Sequence, residues 1–222
     1  MAIPSKDDLI ELYRKRAKHY DITANLYYLI GFREWAYRKL AVNALNLARG
    51  DTVIEIGCGT GLNFNLLQDL VGPEGKIIGV DLTDDMIAQA KKRVEENKWS
   101  NVELVECDAA KYKFPDVVDG ILSTFAITLI PEFDLIIRNG CSALAPRKRF
   151  VILDFKLPSN RLSFLAPLGV LITRPFGVSL EMSSRHPWES VDKYLSNSTV
   201  TELYGGFAYI VTGIKEAANV QI

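Results

Sequence analysis

Val53-Ile54-Glu55-Ile56-Gly57-Cys58-Gly59-Thr60-Gly61 runs from a strand straight into a turn. The branched apolar residues at 53, 54 and 56 favour extended backbone. Three glycines spaced two apart then leave bare backbone where a strand ends and a helix begins. An anionic or zwitterionic ligand fits there, against free N–H groups and the positive end of a helix dipole.

Working outward, strand and helix patterns alternate. Residues 52–56 predict a strand and 62–71 a helix, closed by the turn Gly72-Pro73-Glu74-Gly75. A strand at 76–81 and a helix at 83–98, opened by Thr83-Asp84-Asp85, come next. Strands at 102–106 and 117–123 follow, then a helix from Pro131 to about 144 and a strand at 150–157. Strands with little internal alternation, each followed by a helix, imply a parallel sheet covered on both faces. Right-handed crossovers make it an open, doubly wound α/β sheet whose ligands bind beyond the carboxyl ends of the strands.

The flanks differ from this core. Upstream, residues 6–20 and 25–48 read as two helices. Downstream, residues 162–180 hold one charge, Arg174, and are broken by Pro167, Gly169, Pro175 and Gly177. A short helix at 187–195 and two strands, 200–203 and 207–214, meet around Gly205-Gly206. A hairpin there finishes a sheet of about seven strands with an antiparallel member. The expected organisation is a single domain over 1–222: a helical cap at 1–49, a ligand-binding core at 50–157 and a substrate-side segment at 158–222.

A content of 48% hydrophobic and 24% charged residues excludes a disordered chain. A net charge of −1 gives no bulk attraction to nucleic acid. The charge is uneven: residues 1–49 carry nine Lys/Arg against five Asp/Glu, so a basic arm leads an acidic body. Cys58, Cys107 and Cys141 form neither a disulfide framework nor a CxxC pair, so no metal site is expected and a reducing, cytoplasmic setting is. The basic arm and the apolar 162–180 segment raise the expectation of a peripheral membrane contact. The oligomeric state is not legible.

Two nucleotide motifs fail at the glycine turn. A dinucleotide fingerprint needs a sixth-position glycine, and Leu62 stands there; a P-loop needs Gly-Lys-Ser/Thr, and Leu62-Asn63 stands there. The pattern Glu55-x-Gly57-x-Gly59-x-Gly61 instead resembles the first motif of the Rossmann-like S-adenosylmethionine-dependent methyltransferases. Asp81 ends the second strand, where that family puts an acid on the ribose hydroxyls. Leu82 and Met86 follow, where it packs apolar groups on adenine. Asp108-Ala109 closes the third strand, where an acid takes the adenine amino group. Ser123, Thr124 and Phe125 end the fourth, at the floor of the active site. The resemblance implies S-adenosyl-L-methionine as cofactor, with Glu55 supporting the loop near the methionine amine.

Methyl transfer is an in-line displacement that depends on positioning and exclusion of water, and a base is needed only when the nucleophile must lose a proton. With His19 and His186 the only histidines, N-methylation of a small molecule or lipid headgroup is the first expectation. C- or O-methylation of a quinone or specialised metabolite is the alternative, and an inactive cofactor-binding partner subunit a third reading. His19-Tyr20-Asp21 resembles the lead-in of quinone-type and phospholipid-type methyltransferases, in which Tyr20 would close over the methionine end. The 185–189 and 204–209 stretches resemble phosphatidylethanolamine N-methyltransferases. Tyr20, Phe125 and His186 are therefore the candidate catalytic residues.

Overall fold

The computed structural model describes residues 6–17, 31–158 and 184–217. Tyr20, Arg174 and the 162–180 segment lie outside the described residues.

Seven strands form one sheet in the order β3-β2-β1-β4-β5-β7-β6: β1 Thr52–Ile56, β2 Lys76–Asp81, β3 Val102–Glu106, β4 Val118–Thr124, β5 Leu144–Phe155, β6 Ser196–Leu203 and β7 Ala208–Ile214. The pairs within β3-β2-β1-β4-β5 are parallel, and β7 runs antiparallel to both β5 and β6. The helices are α1 Lys6–Arg16, α2 Glu34–Ala44, α3 Phe64–Val71, α4 Asp84–Glu96, α5 Phe133–Ala143 and α6 Pro187–Tyr194.

The central strands β1, β2, β4, β5 and β7 lack alternation because both their faces are buried, whereas the edge strands β3 and β6 are largely half-buried or exposed. On one face Ile54, Ile121, Phe150, Ile152 and Val211 pack with Ile136 and Ile137 of α5 and Val191 of α6. On the other, Val53, Ile77, Leu122, Val151 and Leu153 pack with Ala41 and Val42 of α2 and Phe64 and Leu67 of α3. Each fully buried Ile, Leu or Phe contributes about 1.5–3 kcal/mol.

Several expected boundaries move. Of the helix expected over 25–48, residues 25–30 lie outside the described residues; α2 starts at Glu34, because Gly31 has φ 79° and Arg33 has non-helical angles. It stops at Ala44, since Asn46 adopts φ 53° and Gly50 φ 88°. The strand expected from 150 begins at Leu144, directly after α5. The closing hairpin forms as expected, with a 3₁₀ turn at Tyr204–Gly206. Its outer strand is longer than expected, because Ser196 and Thr199 also pair with β7 at the sheet edge, across an irregularity at Asn197-Ser198. Among the described residues no helix is long and apolar enough to cross a membrane.

Candidate active site

A cleft opens beyond the carboxyl ends of β1, β2, β3 and β4, where the strand order reverses. About 930 Å³ of space lies within it, part of that open to solvent.

The glycine turn forms one wall. Gly57, Gly59 and Gly61 have φ of 69°, 54° and 76°, a region other residues rarely adopt. Gly57 and Gly59 line the cleft with Cys58 and Thr60. Gly61 stands behind them, where an added Cβ would lie 2.6 Å from the Phe64 ring.

Asp81 ends β2 and holds this turn in place. Its Oδ2 accepts from the Gly59 amide at 2.8 Å and its Oδ1 from the Thr83 amide at 2.9 Å. Burial pushes its carboxyl up, against the pull of those two amides. Leu82 and Met86 line the adjoining wall with Asp108 and Ala109. Asp108 Oδ1 accepts from the Ala110 amide at 3.0 Å, and Oδ2 accepts from Lys6 Nζ at 2.8 Å. Burial would raise the Asp108 carboxyl, but the Lys6 ammonium and the Ala110 amide outweigh it and hold the group below its usual range.

The floor is a buried polar network. Arg38 of α2 donates through Nε to Glu34 Oε1 at 2.8 Å and through Nη1 to Thr124 Oγ1 at 2.7 Å and Asn63 Oδ1 at 3.3 Å. Asn63 Nδ2 donates to Thr124 Oγ1 at 2.9 Å and to Glu55 Oε1. Glu55 does not line the cleft: these contacts reach the lining residue Thr124 only through Asn63. Burial pushes its carboxyl up to about 7, against the Asn63 bond and the Arg38 charge. Its Oε2 is buried with no hydrogen-bond partner among the described residues. An orphaned buried oxygen is costly.

The structure thus brings together Gly57, Gly59, Asp81, Leu82, Met86, Asp108, Ala109 and Phe125 around one cleft. It does not bring Ser123 there: that side chain is buried, and its Oγ donates to the Ile56 carbonyl at 3.0 Å, tying β4 to β1. Thr124, the next residue, lines the cleft instead. His186 is also elsewhere. It precedes α6, stacks on Trp188 at 4.6 Å and meets Glu189 Oε1 through Nδ1 at 2.9 Å. Arg38 is the chief residue that sequence reasoning missed. Glu34 and Arg38 are spaced i, i+4, the signature of an exposed helix pair, yet both are buried.

Beside the floor, Phe125 faces the cleft with φ 54°. Its ring packs on Phe155 at 4.8 Å, and the Arg38 guanidinium lies 5.1 Å from its centroid. Phe32 fills the space beyond, within 5.2–5.9 Å of Tyr37, Phe125, Phe155 and Tyr204.

Residues 47–173 match the profile of the methyltransferase domain. The ubiquinone/menaquinone biosynthesis C-methyltransferase of Pseudomonas putida is 29% identical over 73% of this chain and 68% of its own length in strain F1. In strain W619 it is 26% identical over 92% and 88%. Among solved structures, a Haemonchus contortus phosphoethanolamine N-methyltransferase, bound to phosphomonomethylethanolamine and S-adenosylhomocysteine, superposes with a TM-score of 0.68. It shares 17% identity over 92% of this chain and 59% of its own, a likeness of fold. The bare glycine turn, Asp81 at the end of β2 and Asp108 just beyond β3 suit a ligand with ribose hydroxyls and an adenine amine. The profile spans more than half of the chain, so this protein belongs to the methyltransferase-domain family, as a Rossmann-like enzyme that takes its methyl from S-adenosylmethionine.

Proposed function

We propose that this methyltransferase acts on a flat, largely apolar ring of the quinone-precursor type, at carbon or at a ring hydroxyl. The observation that carries this reading is the aromatic wall of Phe125, Phe155, Phe32 and Tyr204 beside the cofactor cleft. Flat rings pack against such surfaces in offset or edge-to-face arrangements. Two grounds move the reading away from N-methylation. The Arg38 guanidinium already lies over the Phe125 face that a substrate ammonium would use. The relatives that share 26–29% identity with this chain are named as quinone-pathway C-methyltransferases.

When bound, S-adenosylmethionine supplies a methyl on a positively charged sulfur. The chain's own residues bind and orient. Asp81 is assigned the ribose hydroxyls, Asp108 the adenine amine, Leu82 and Met86 the adenine faces, and Arg38 with Thr124 the methionine carboxylate. Glu55 is assigned to the methionine ammonium as a charge behind the cleft wall, acting without direct contact. Holding donor and acceptor in line can contribute about 7–11 kcal/mol.

The test is a panel of hydroxylated ring acceptors and ethanolamine-type amines, given methyl-labelled cofactor and read by product mass. Label should enter the ring acceptors, and Phe125→Leu should lower their kcat/KM about tenfold, the effect of one lost aromatic contact. Label confined to the amines would overturn the reading.

The Glu55 assignment has its own signature. A carboxyl at about 7 is largely protonated at pH 6, and only the ionised form attracts an ammonium. Affinity for S-adenosylhomocysteine should therefore rise with pH up to about 7 and level off above, with a slope of at most about tenfold per unit. Glu55→Gln should flatten that slope in calorimetry from pH 5.5 to 8; an unchanged slope assigns it to another group.

A further inference from the structure

Helix α1 lies across the mouth of the cleft. Ile10 and Tyr13 line the cleft from above, and Tyr13 packs on Leu129. Ion pairs hold the helix at both ends. Arg14 grips Asp84 in a two-point contact, Nε to Oδ1 at 2.8 Å and Nη2 to Oδ2 at 3.0 Å. At the other end Lys6 Nζ bridges Asp108 Oδ2 at 2.8 Å and Glu132 Oε1 at 2.9 Å.

Lys6 itself lines the cleft, beside Asp108. Its ammonium therefore occupies the carboxylate assigned to the adenine amine. Both groups are donors, and the Lys6 ammonium stands in the cleft against Oδ2, while Oδ1 holds the Ala110 amide. Adenine and Lys6 then contend for the same place beside Asp108. Glu132 stands beside the ammonium, so Lys6 can leave Asp108 and remain paired.

We propose that Lys6 is an internal competitor of the cofactor's adenine, handed from Asp108 to Glu132 as the cofactor enters and restored as the product leaves. The inference rests on assigning Asp108 to adenine. It predicts an unusual sign: removing a cation from the cofactor site should strengthen binding.

Lys6→Met keeps the apolar stem of the side chain and removes the charge. Calorimetry with S-adenosylhomocysteine, and separately with adenosine, should show about a two- to tenfold lower Kd for this variant, the worth of one displaced hydrogen bond. With adenosine, which lacks the charged methionine end, added salt should tighten wild-type binding by screening the Lys6–Asp108 pair and leave Lys6→Met unaffected. Glu132→Gln should weaken binding in the wild type, by removing the negative charge that receives the displaced ammonium, and have no effect in the Lys6→Met background. Unchanged or weaker binding by Lys6→Met, with thermal unfolding intact, would overturn the competition and leave Lys6 as a simple anchor of α1. Asp108→Asn separates the two ideas: unaltered affinity for adenosine in that variant removes the adenine assignment itself.

Discussion

Asp81→Ala should raise the dissociation constant for S-adenosylhomocysteine about 100-fold, or about 2.7 kcal/mol. The size follows from two duties meeting in one carboxylate. It is the acceptor at the tip of β2 assigned to the ribose hydroxyls, and hydrogen bonds to charged groups are the strong ones. It also receives the Gly59 and Thr83 amides, so the glycine turn and the start of α4 are set by the same side chain. Alanine removes the ligand contact and loosens the wall around it. Asp81→Asn keeps the shape and one acceptor oxygen, and should weaken binding less. Titration calorimetry gives both values. Unchanged affinity in the alanine variant would detach the cofactor from this cleft.

Gly57→Ala carries the second large effect, on stability. Gly57 adopts φ 69°, and an added Cβ would lie 2.3 Å from the Ala126 Cβ. Left-handed backbone in alanine costs about 1–2 kcal/mol, and overpacking adds about 1–3 kcal/mol. The obstacle is poorly placed to retreat. Ala126 leads into the 3₁₀ turn Ile127–Leu129, whose Thr128 amide is held at 3.0 Å by the buried Asp154 carboxylate. The midpoint of thermal unfolding should fall by about 5–15 °C for a domain of this size. Gly59→Ala is the control: Gly59 shares the left-handed backbone, with φ 54°, but a Cβ added there would meet nothing within 4 Å among the described residues. Equal melting points for the two variants would show that backbone strain alone matters and the Ala126 contact does not.

Much of the cofactor half was legible because it depends on local chemistry. A strand that runs into spaced glycines can do little else, and Asp81 and Asp108 each follow a strand by position alone. Other features depend on packing that no local pattern encodes. Ser123 and Thr124 are adjacent and chemically alike, and only the twist at the end of β4 decides which faces the cleft. Arg38 reads as a surface cation until α2 docks its charged face over Phe125 and Thr124. The placement of α1 was hidden for a similar reason. Lys6 and Arg14 find partners 102 and 70 residues away, Asp108 and Asp84, so the helix was legible but its address was not. His186 misled because a histidine invites a catalytic role, whereas here it stacks on Trp188 at the head of α6.

The reversed direction of β7 divides the labour of the site along the chain. Because β7 enters the sheet beside the exit of β5, the Tyr204–Gly206 turn reaches the rim where the parallel strands end. Tyr204 meets Phe32 there at 5.3 Å, far in sequence from the cradle at 57–61 and the acids at 81 and 108. The same hairpin also anchors the fold, since Tyr209, Ile210 and Val211 of β7 are buried in the core on both faces of the sheet. A change at Tyr204 therefore touches the rim, while a change within β7 reaches the core.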